Sequence, residues 1–273
     1  MSYATVMVHV DAEGDSTNRI NVAVDLSDRY RSTLIGIGGW SPGIGFATDV
    51  AVIEDDPVKL QTEELVTLMT AAERGFREAA RDISHAEWRG ELGLPLDHLV
   101  RQSRSADLVI IGRERTKEKH CVSIDPGAAI LRMGRPVLVV PNSVQELSAR
   151  RVVVAWKECR EARRAVRDAL GLLRDAEEVL VVKVSENAIE NNALKRLDDV
   201  ANYLKGYRVP VTNKVFLQRD GSIASTIIGL AQREACDLIV AGAYGHSRLG
   251  EWVFGGVTID LLERSPICCL LAH

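Results

Sequence analysis

The chain has no apolar run long enough to cross a membrane, and its opening segment, Met1 to Asp11, lacks the basic stretch and long apolar core of a secretion signal. Positive charge is not in excess either: 34 Lys and Arg stand against 38 Asp and Glu, a net charge of -4. General affinity for nucleic acid or anionic lipid depends on surplus Lys and Arg, so neither nucleic acid nor membrane is expected as a partner. Cysteine is scarce, odd in number and scattered: Cys121, Cys159, Cys236 and the adjacent Cys268 and Cys269, whose side chains would alternate across a strand. That pattern excludes a disulfide framework and points to reduced, buried thiols in a cytoplasmic protein. A Gly-x-Ser-x-Gly elbow is missing, as is any nucleophile, base and orienting group in combination, and His120-Cys121 has no second ligand pair at zinc spacing.

What is present is the balance of a folded chain. Of 273 residues, 46% are hydrophobic and 26% charged, enough for one large domain or two modest ones. An internal repeat favours two. Ala106-Asp-Leu-Val-Ile-Ile-Gly112 aligns without a gap on Cys236-Asp-Leu-Ile-Val-Ala-Gly242, a shift of 130 residues, and the same shift carries Leu131 to Val140 onto Leu261 to Leu270. Each copy opens with a strand-like run, Val6-Met-Val-His-Val10 and Val152-Val-Val-Ala-Trp156, here at a shift of 146. Between them Pro141 to Arg150 reads as a polar linker, which gives domains of 1–143 and 144–273.

In the second copy strand and helix alternate: strands at Val152–Trp156, Val179–Val184, Val211–Leu217, Leu238–Ala241 and Ile267–Leu271, helices at Glu161–Arg174, Ala193–Lys205, Ile223–Glu234 and Trp252–Glu263. Near-continuous apolar strands in such alternation predict an α/β fold, a doubly wound parallel sheet of five strands in each repeat. A ligand would lie beyond the carboxyl ends of the strands where strand order reverses.

The strongest chemical signal follows one of those strands: Gly242-Ala-Tyr-Gly245-His246, then Gly255-Gly256-Val257-Thr258 at the start of a helix. Glycines let the backbone come close to a ligand, and free N–H groups at a helix start attract anions, so the combination suits phosphate. The same glycines could instead turn the chain and allow tight packing, and spacing alone does not separate the two. With Gly, two residues, Gly, nine residues, Gly, the loop resembles the nucleotide-binding loop of universal stress proteins, and the resemblance extends over both copies.

The resemblance implies an adenine nucleotide α-hydrolase-like fold and a pocket for ATP or AMP, with Mg²⁺ accompanying ATP. Gly242, Gly245, Gly255, Gly256, Val257 and Thr258 would surround the phosphates, Trp156, Lys157 and Val184 would lie near the nucleoside, and His246 would be a loop residue or touch a γ-phosphate. The chain departs from the family at two points: Gly256 stands where a Ser or Thr is usual, and Lys157 where an Asp is usual. Loss of the hydroxyl removes a side-chain donor and leaves the backbone N–H. Lys157 cannot ligate a cation as a carboxylate does; it is either a phosphate partner or a solvated lysine at a strand end. Trp156 reads as a packing residue before a stacking platform.

The first copy departs differently. It keeps Asp11 at the aspartate position and Gly112 at that of Gly242, but Arg115 replaces Gly245 and Asp125 replaces Gly255. Asp125-Pro126 reads as a helix N-cap with Pro at the first helical position, so its carboxylate would take the N–H groups that a phosphate otherwise uses. No nucleotide is expected there. Arg113, Arg115, Lys117 and Lys119, interleaved with Glu114 and Glu118, read first as a solvated loop and second as an anion or partner site.

The expected function is that of a stress-response regulator binding an adenine nucleotide in its second copy as a sensor or switch, at most a slow ATPase. The alternative is a scaffold without nucleotide that acts through regulatory protein partners. A pyrophosphatase of the related type is disfavoured, because Trp156-Lys-Glu-Cys-Arg160 replaces its Ser-Gly-Gly-x-Asp-Ser loop, and a colourless purified protein would count against a flavin-binding electron-transfer subunit. The family commonly pairs through its last strands, so Pro136–Val140 and Pro266–Leu270 would close a pseudo-dimer within one chain, with or without a homodimer of chains.

Overall fold

The computed structural model describes residues 3–11, 14–41, 57–113, 123–185, 192–217, 221–245 and 255–273. In the first half the order is β1 (Thr5–His9), α1 (Thr17–Tyr30), β2 (Thr33–Trp40), α2 (Pro57–Ala79), β3 (Ala86–Leu92), α3 (Pro95–Gln102), β4 (Leu108–Gly112), α4 (Pro126–Met133) and β5 (Val137–Val140). The second half follows with β6 (Arg151–Ala155), α5 (Arg160–Asp168), α6 (Leu170–Asp175), β7 (Glu178–Ser185), α7 (Ala193–Gly206), β8 (Val211–Leu217), α8 (Ile223–Arg233), β9 (Leu238–Gly242), α9 (Gly256–Arg264) and β10 (Cys268–Ala272).

The strands form one ten-stranded sheet in the order β3-β2-β1-β4-β5-β10-β9-β6-β7-β8. Every pairing is parallel but one, the antiparallel β5–β10 pair at its centre. The central strands are runs of Val, Ile and Leu buried on both faces, as parallel strands between helix layers must be. Edge strands β3 and β8 are mostly exposed or half-buried and carry charged or polar residues such as Glu87, Arg89, Asn213 and Lys214, which discourages further strand addition. One core layer gathers side chains of α1, α2, α5, α6 and α7, the other those of α3, α4, α8 and α9, and both layers run across the two halves. The expected doubly wound α/β architecture, repeated and joined through its last strands, is what the chain adopts.

The repeat is visible in strand register. Val6 pairs with Leu108 in the first half and Val152 with Leu238 in the second, in keeping with the shifts of 146 and 130. The last strands depart from the ungapped alignment. Val109 pairs with Val137 while Ile239 pairs with Cys269, so the final strand follows a shift of 132, and two residues have been added before β10. With that shift Leu138 faces its own counterpart, Leu270, across the β5–β10 pair, and the pseudo-twofold axis passes between them. The aspartate of the repeat has a structural task in both copies: Asp107 Oδ2 accepts from the N–H groups of Ala4 and Thr5, and Asp237 Oδ2 from Ala149 N–H and the Ser148 hydroxyl.

Two expectations need correction. The segment read as one helix from Glu161 to Arg174 is two, α5 and α6, divided at Ala169. The connection at 141–150 is packed, not a loose tether: Leu147 and Ala149 are buried, Arg29 donates to the carbonyls of Leu147 and Ser148, and Asn18 to that of Asn142.

Candidate functional site

Strand order reverses between β6 and β9 in the second half and between β1 and β4 in the first, so each half has a crevice at the carboxyl ends of those strands. The second-half crevice holds Gly242, which closes β9, Lys157 beyond the end of β6, and the start of α9. Gly255 is the N-cap of α9 and Gly256 its first residue, and among the described residues no side chain caps that end. A Cβ built on Gly256 would meet nothing within 4 Å among the described residues, and one on Gly255 only ordinary contacts of 3.7 and 3.8 Å. Thr258 N–H in that turn donates to the Gly255 carbonyl at 2.8 Å, and among the described residues the N–H groups of Gly256 and Val257 meet no acceptor.

Gly242 and Gly245 answer to packing. A Cβ on Gly242 would lie 2.6 Å from the Glu161 carbonyl carbon and 2.9 Å from Ala162 Cα, because the first turn of α5 sits directly on the end of β9. A Cβ on Gly245 would lie 2.9 Å from Cys159 Sγ and 3.0 Å from Glu161 Oε2. The hydroxyl of Thr258, itself buried, accepts from Tyr244 N–H at 3.2 Å and so ties the loop to α9. Val257 packs in the same core layer as Tyr244, and so does Val184 near the end of β7.

Trp156 is not brought to that side. It continues the alternation of Val152 and Val154, its ring packs against the opposite core layer, and its Nε1–H donates to Glu158 Oε1 at 3.0 Å. Lys157 is exposed at the strand end. His246 lies outside the described residues, as do Arg115, Lys117, Lys119 and His120-Cys121 of the first-half loop.

A carboxylate that the sequence reading did not single out borders the loop. Glu161 is buried in the first turn of α5 and paired with Arg160. Burial pushes its carboxyl upward, but the Arg160 guanidinium, its own backbone N–H and the Cys159 thiol outweigh burial, and the pKa falls below the ordinary value. Cys159, Cys236, Cys268 and Cys269 are free thiols, each pushed upward chiefly by burial, Cys236 and Cys269 to about 11, and so are protonated at neutral pH.

The first-half crevice is filled by the chain itself. Arg19 is buried, donating through Nε to the His9 carbonyl at 2.8 Å and through Nη2 to the Asp11 carboxylate and the Ser16 hydroxyl. Its guanidinium lies directly over Gly112, in a small cavity also lined by His9, Asp11, Ser123 and Ile124. Burial pushes the Asp11 carboxyl up, and His9 and Arg19 outweigh it and hold it below the ordinary range. His9 is pushed down to about 4 by burial, against the attraction of Asp11 and helped by Arg19 and His98, so it is neutral at neutral pH. Asp125 Oδ1 accepts from Ala128 N–H at 2.9 Å and caps α4, as its sequence context predicts. Asp11 at the family's aspartate position and His9 within an apolar strand were the signals of this cluster in the sequence; nothing marked Arg19 as buried.

A doubly wound α/β protein that completes its sheet across a pseudo-dyad, with a glycine loop at one switch point, defines the class. Residues 148–273 match the model of the universal stress protein family. The chain is also 22% identical over 222 residues to a universal stress protein of Synechocystis, covering 79% of this chain and 74% of that one. Along nearly its whole length it shares the fold of a universal stress protein from Archaeoglobus fulgidus (TM-score 0.70, 14% identity, 97% of each chain). A putative universal stress protein from Pseudomonas aeruginosa is similar (TM-score 0.65, 12% identity, 99% of this chain and 93% of that one). Residues 148–273 thus carry a universal stress protein domain, of a stress-response class, and nearly the whole chain has the fold of these universal stress proteins.

Proposed function

We propose that this protein binds an adenine nucleotide, ATP or AMP, in its second half and uses the bound state as a sensor or conformational switch towards regulatory protein partners in the cytoplasm. The observation that carries the reading is the start of α9 at the β6–β9 switch point, where among the described residues no side chain caps the helix and none lies within 4 Å of a Cβ built on Gly256. Phosphate oxygens would accept from the N–H groups of Gly256 and Val257 in that first turn and of Gly245, since those of Ala243, Tyr244 and Thr258 already donate to the Ala272 carbonyl, the Thr258 hydroxyl and the Gly255 carbonyl, and Val184 would border the nucleoside. Lys157 would supply the positive charge at the strand end. Among the described residues no three His, Cys, Asp or Glu side chains gather round a common point, so Mg²⁺ enters only as the companion of the ATP phosphates. We place the domain boundary at 143/144, inside the connection from β5 to β6. The first half, closed by Arg19 and Asp125, would take no nucleotide.

One observation favours a scaffold that works without a nucleotide: Gly242, Gly245 and the Thr258 hydroxyl already have structural tasks, so a decayed pocket could retain them. Titration of nucleotide-stripped protein with ATP and with AMP, each with and without Mg²⁺, separates the readings when followed by amide hydrogen exchange. A nucleotide that slows exchange at 243–245 and 255–260, but not at 123–130, supports the proposal; no binding at millimolar nucleotide leaves the scaffold.

A further inference from the structure

The glycine loop of the second half reaches into the first. Tyr244 has a left-handed backbone, φ 57°, a conformation that a bulky residue holds only when its surroundings fix it. Its N–H is bonded to Thr258 Oγ1 at 3.2 Å, and its ring meets the His273 imidazole edge-on with centroids 6.5 Å apart. His273 Nδ1 in turn lies 3.1 Å from the carbonyl of Ala243, the preceding loop residue. The third contact crosses between halves: the Tyr244 hydroxyl lies over Gly127 in the first turn of α4, the turn that Asp125 caps. A methyl group at position 127 would overlap the hydroxyl. It would stay 3.6 Å from the ring carbon that bears that hydroxyl and 3.1 Å from Asp125 Oδ1. Gly127 is thus the residue that lets Tyr244 reach the first half, and α4 and α9 lie in contact on the same face.

We infer that Tyr244 and Gly127 are a positioning pair through which the first half sets the conformation of the second half's glycine loop. The first half, with its own crevice filled, then serves as a regulatory support for the other site. A displacement of α4 is felt at Tyr244, and through its N–H at Thr258 and the first turn of α9, where the proposed anion binds. By reciprocity, a ligand that fixes the loop also fixes α4. The ligand in this inference rests on the proposed function; the coupling does not.

The test uses the full chain as Gly127→Ala, Tyr244→Phe and the two together. Without ligand, amide exchange at 243–245 and 255–260 is expected to rise about fivefold or more in Gly127→Ala and to return most of the way in the double variant, because the methyl group then meets no hydroxyl. With ATP and Mg²⁺ as probe, affinity is expected to fall about tenfold in Gly127→Ala and to recover to within about threefold of Tyr244→Phe in the double variant. Exchange changes confined to α4, or a double variant no better than Gly127→Ala, would overturn the pairing. If the wild-type protein binds neither ATP nor AMP, the proposed function falls, and the exchange measurement decides the coupling alone. Should Gly127→Ala not fold, the double variant against Tyr244→Phe reads the same pair: equal exchange at the loop is expected, and unequal exchange contradicts the fit of methyl to ring.

Discussion

The ends of β4 and β9 are built alike and finished differently. Gly112 lies under the guanidinium of Arg19, whereas Gly242 lies under the backbone of α5. Beyond each, a helix begins: α4 with the carboxylate of Asp125 on its amides, α9 with Gly255 and Gly256 and no side-chain cap among the described residues. The repeat places Ala155 at the position of His9 and Lys157 at that of Asp11, so the Asp11–Arg19 pair has no counterpart in the second crevice, whose buried carboxylate is Glu161. The same fold can thus satisfy its switch point from within or leave it to an acceptor from outside, and a few side chains decide which. On the proposed function, the first half serves as a support and the second keeps an opening for an acceptor.

The largest effect expected from breaking this comparison lies in the first half. Arg19→Met strips the Asp11 carboxylate of its cation while leaving it buried, and should lower stability by about 3–5 kcal/mol in denaturant unfolding. If the loss is below about 1 kcal/mol, the Arg19 cluster is not the filling that holds the crevice. Next comes a pH effect from the same cluster. His9 has a folded pKa of about 4 against 6.5 ordinarily, so as pH falls the unfolded chain takes up the proton first. The contribution of neutral His9 is complete above 6.5 and is lost as pH falls towards 4, about 3 kcal/mol in all. Asp11, also depressed, works in the same direction at lower pH: its contribution is present above the unfolded carboxylate pKa and fades as pH falls below it. A His9→Gln variant should flatten the slope of stability between pH 6.5 and 4; an unchanged slope would assign it elsewhere.

In the second half, glycines should divide by task. Gly242→Ala pushes α5 off the end of β9 and is expected to cost about 1–3 kcal/mol, while Gly256→Ala should stay within about 0.5 kcal/mol of wild type in the same unfolding assay. Equal costs would contradict the division. Smaller again, Asp125→Ala should destabilise the chain by about 1 kcal/mol through loss of the α4 cap, read as a shift in melting temperature.

Much of this architecture was legible in the sequence because it rests on hydrophobic runs and their spacing. The strand at Val211–Leu217 needed only that, Asp125-Pro126 spelled out its cap, and the pairing of the last strands came from the family resemblance. The two-residue step before β10 was hidden because Pro136 and Pro266, each ahead of an apolar run, align as well without it. The break at Ala169 passed unseen because Ala-Leu-Gly-Leu-Leu is as compatible with one helix as with two. Strand parity was enough to turn Trp156 away from Val184, had the alternation from Val152 been carried past the strand end. Arg19 could not be read at all: a charged side chain on a helix is assigned to water unless its buried partners, here eight and ten residues back, are known to fold onto it. Nor could spacing tell a glycine kept for a helix contact, such as Gly242, from one kept open, such as Gly256.

The central claim is that the second half alone retains an open anion site, and Gly255→Asp tests it most directly by giving α9 the cap that Asp125 gives α4. Among the described residues nothing lies closer than 3.7 Å to a Cβ built there, and stability should change by only a few tenths of a kcal/mol. Calorimetric titration with ATP and Mg²⁺ is expected to show one site per chain in the wild type and none in Gly255→Asp. Two sites in the wild type, or a site that survives Gly255→Asp unchanged, would contradict the account.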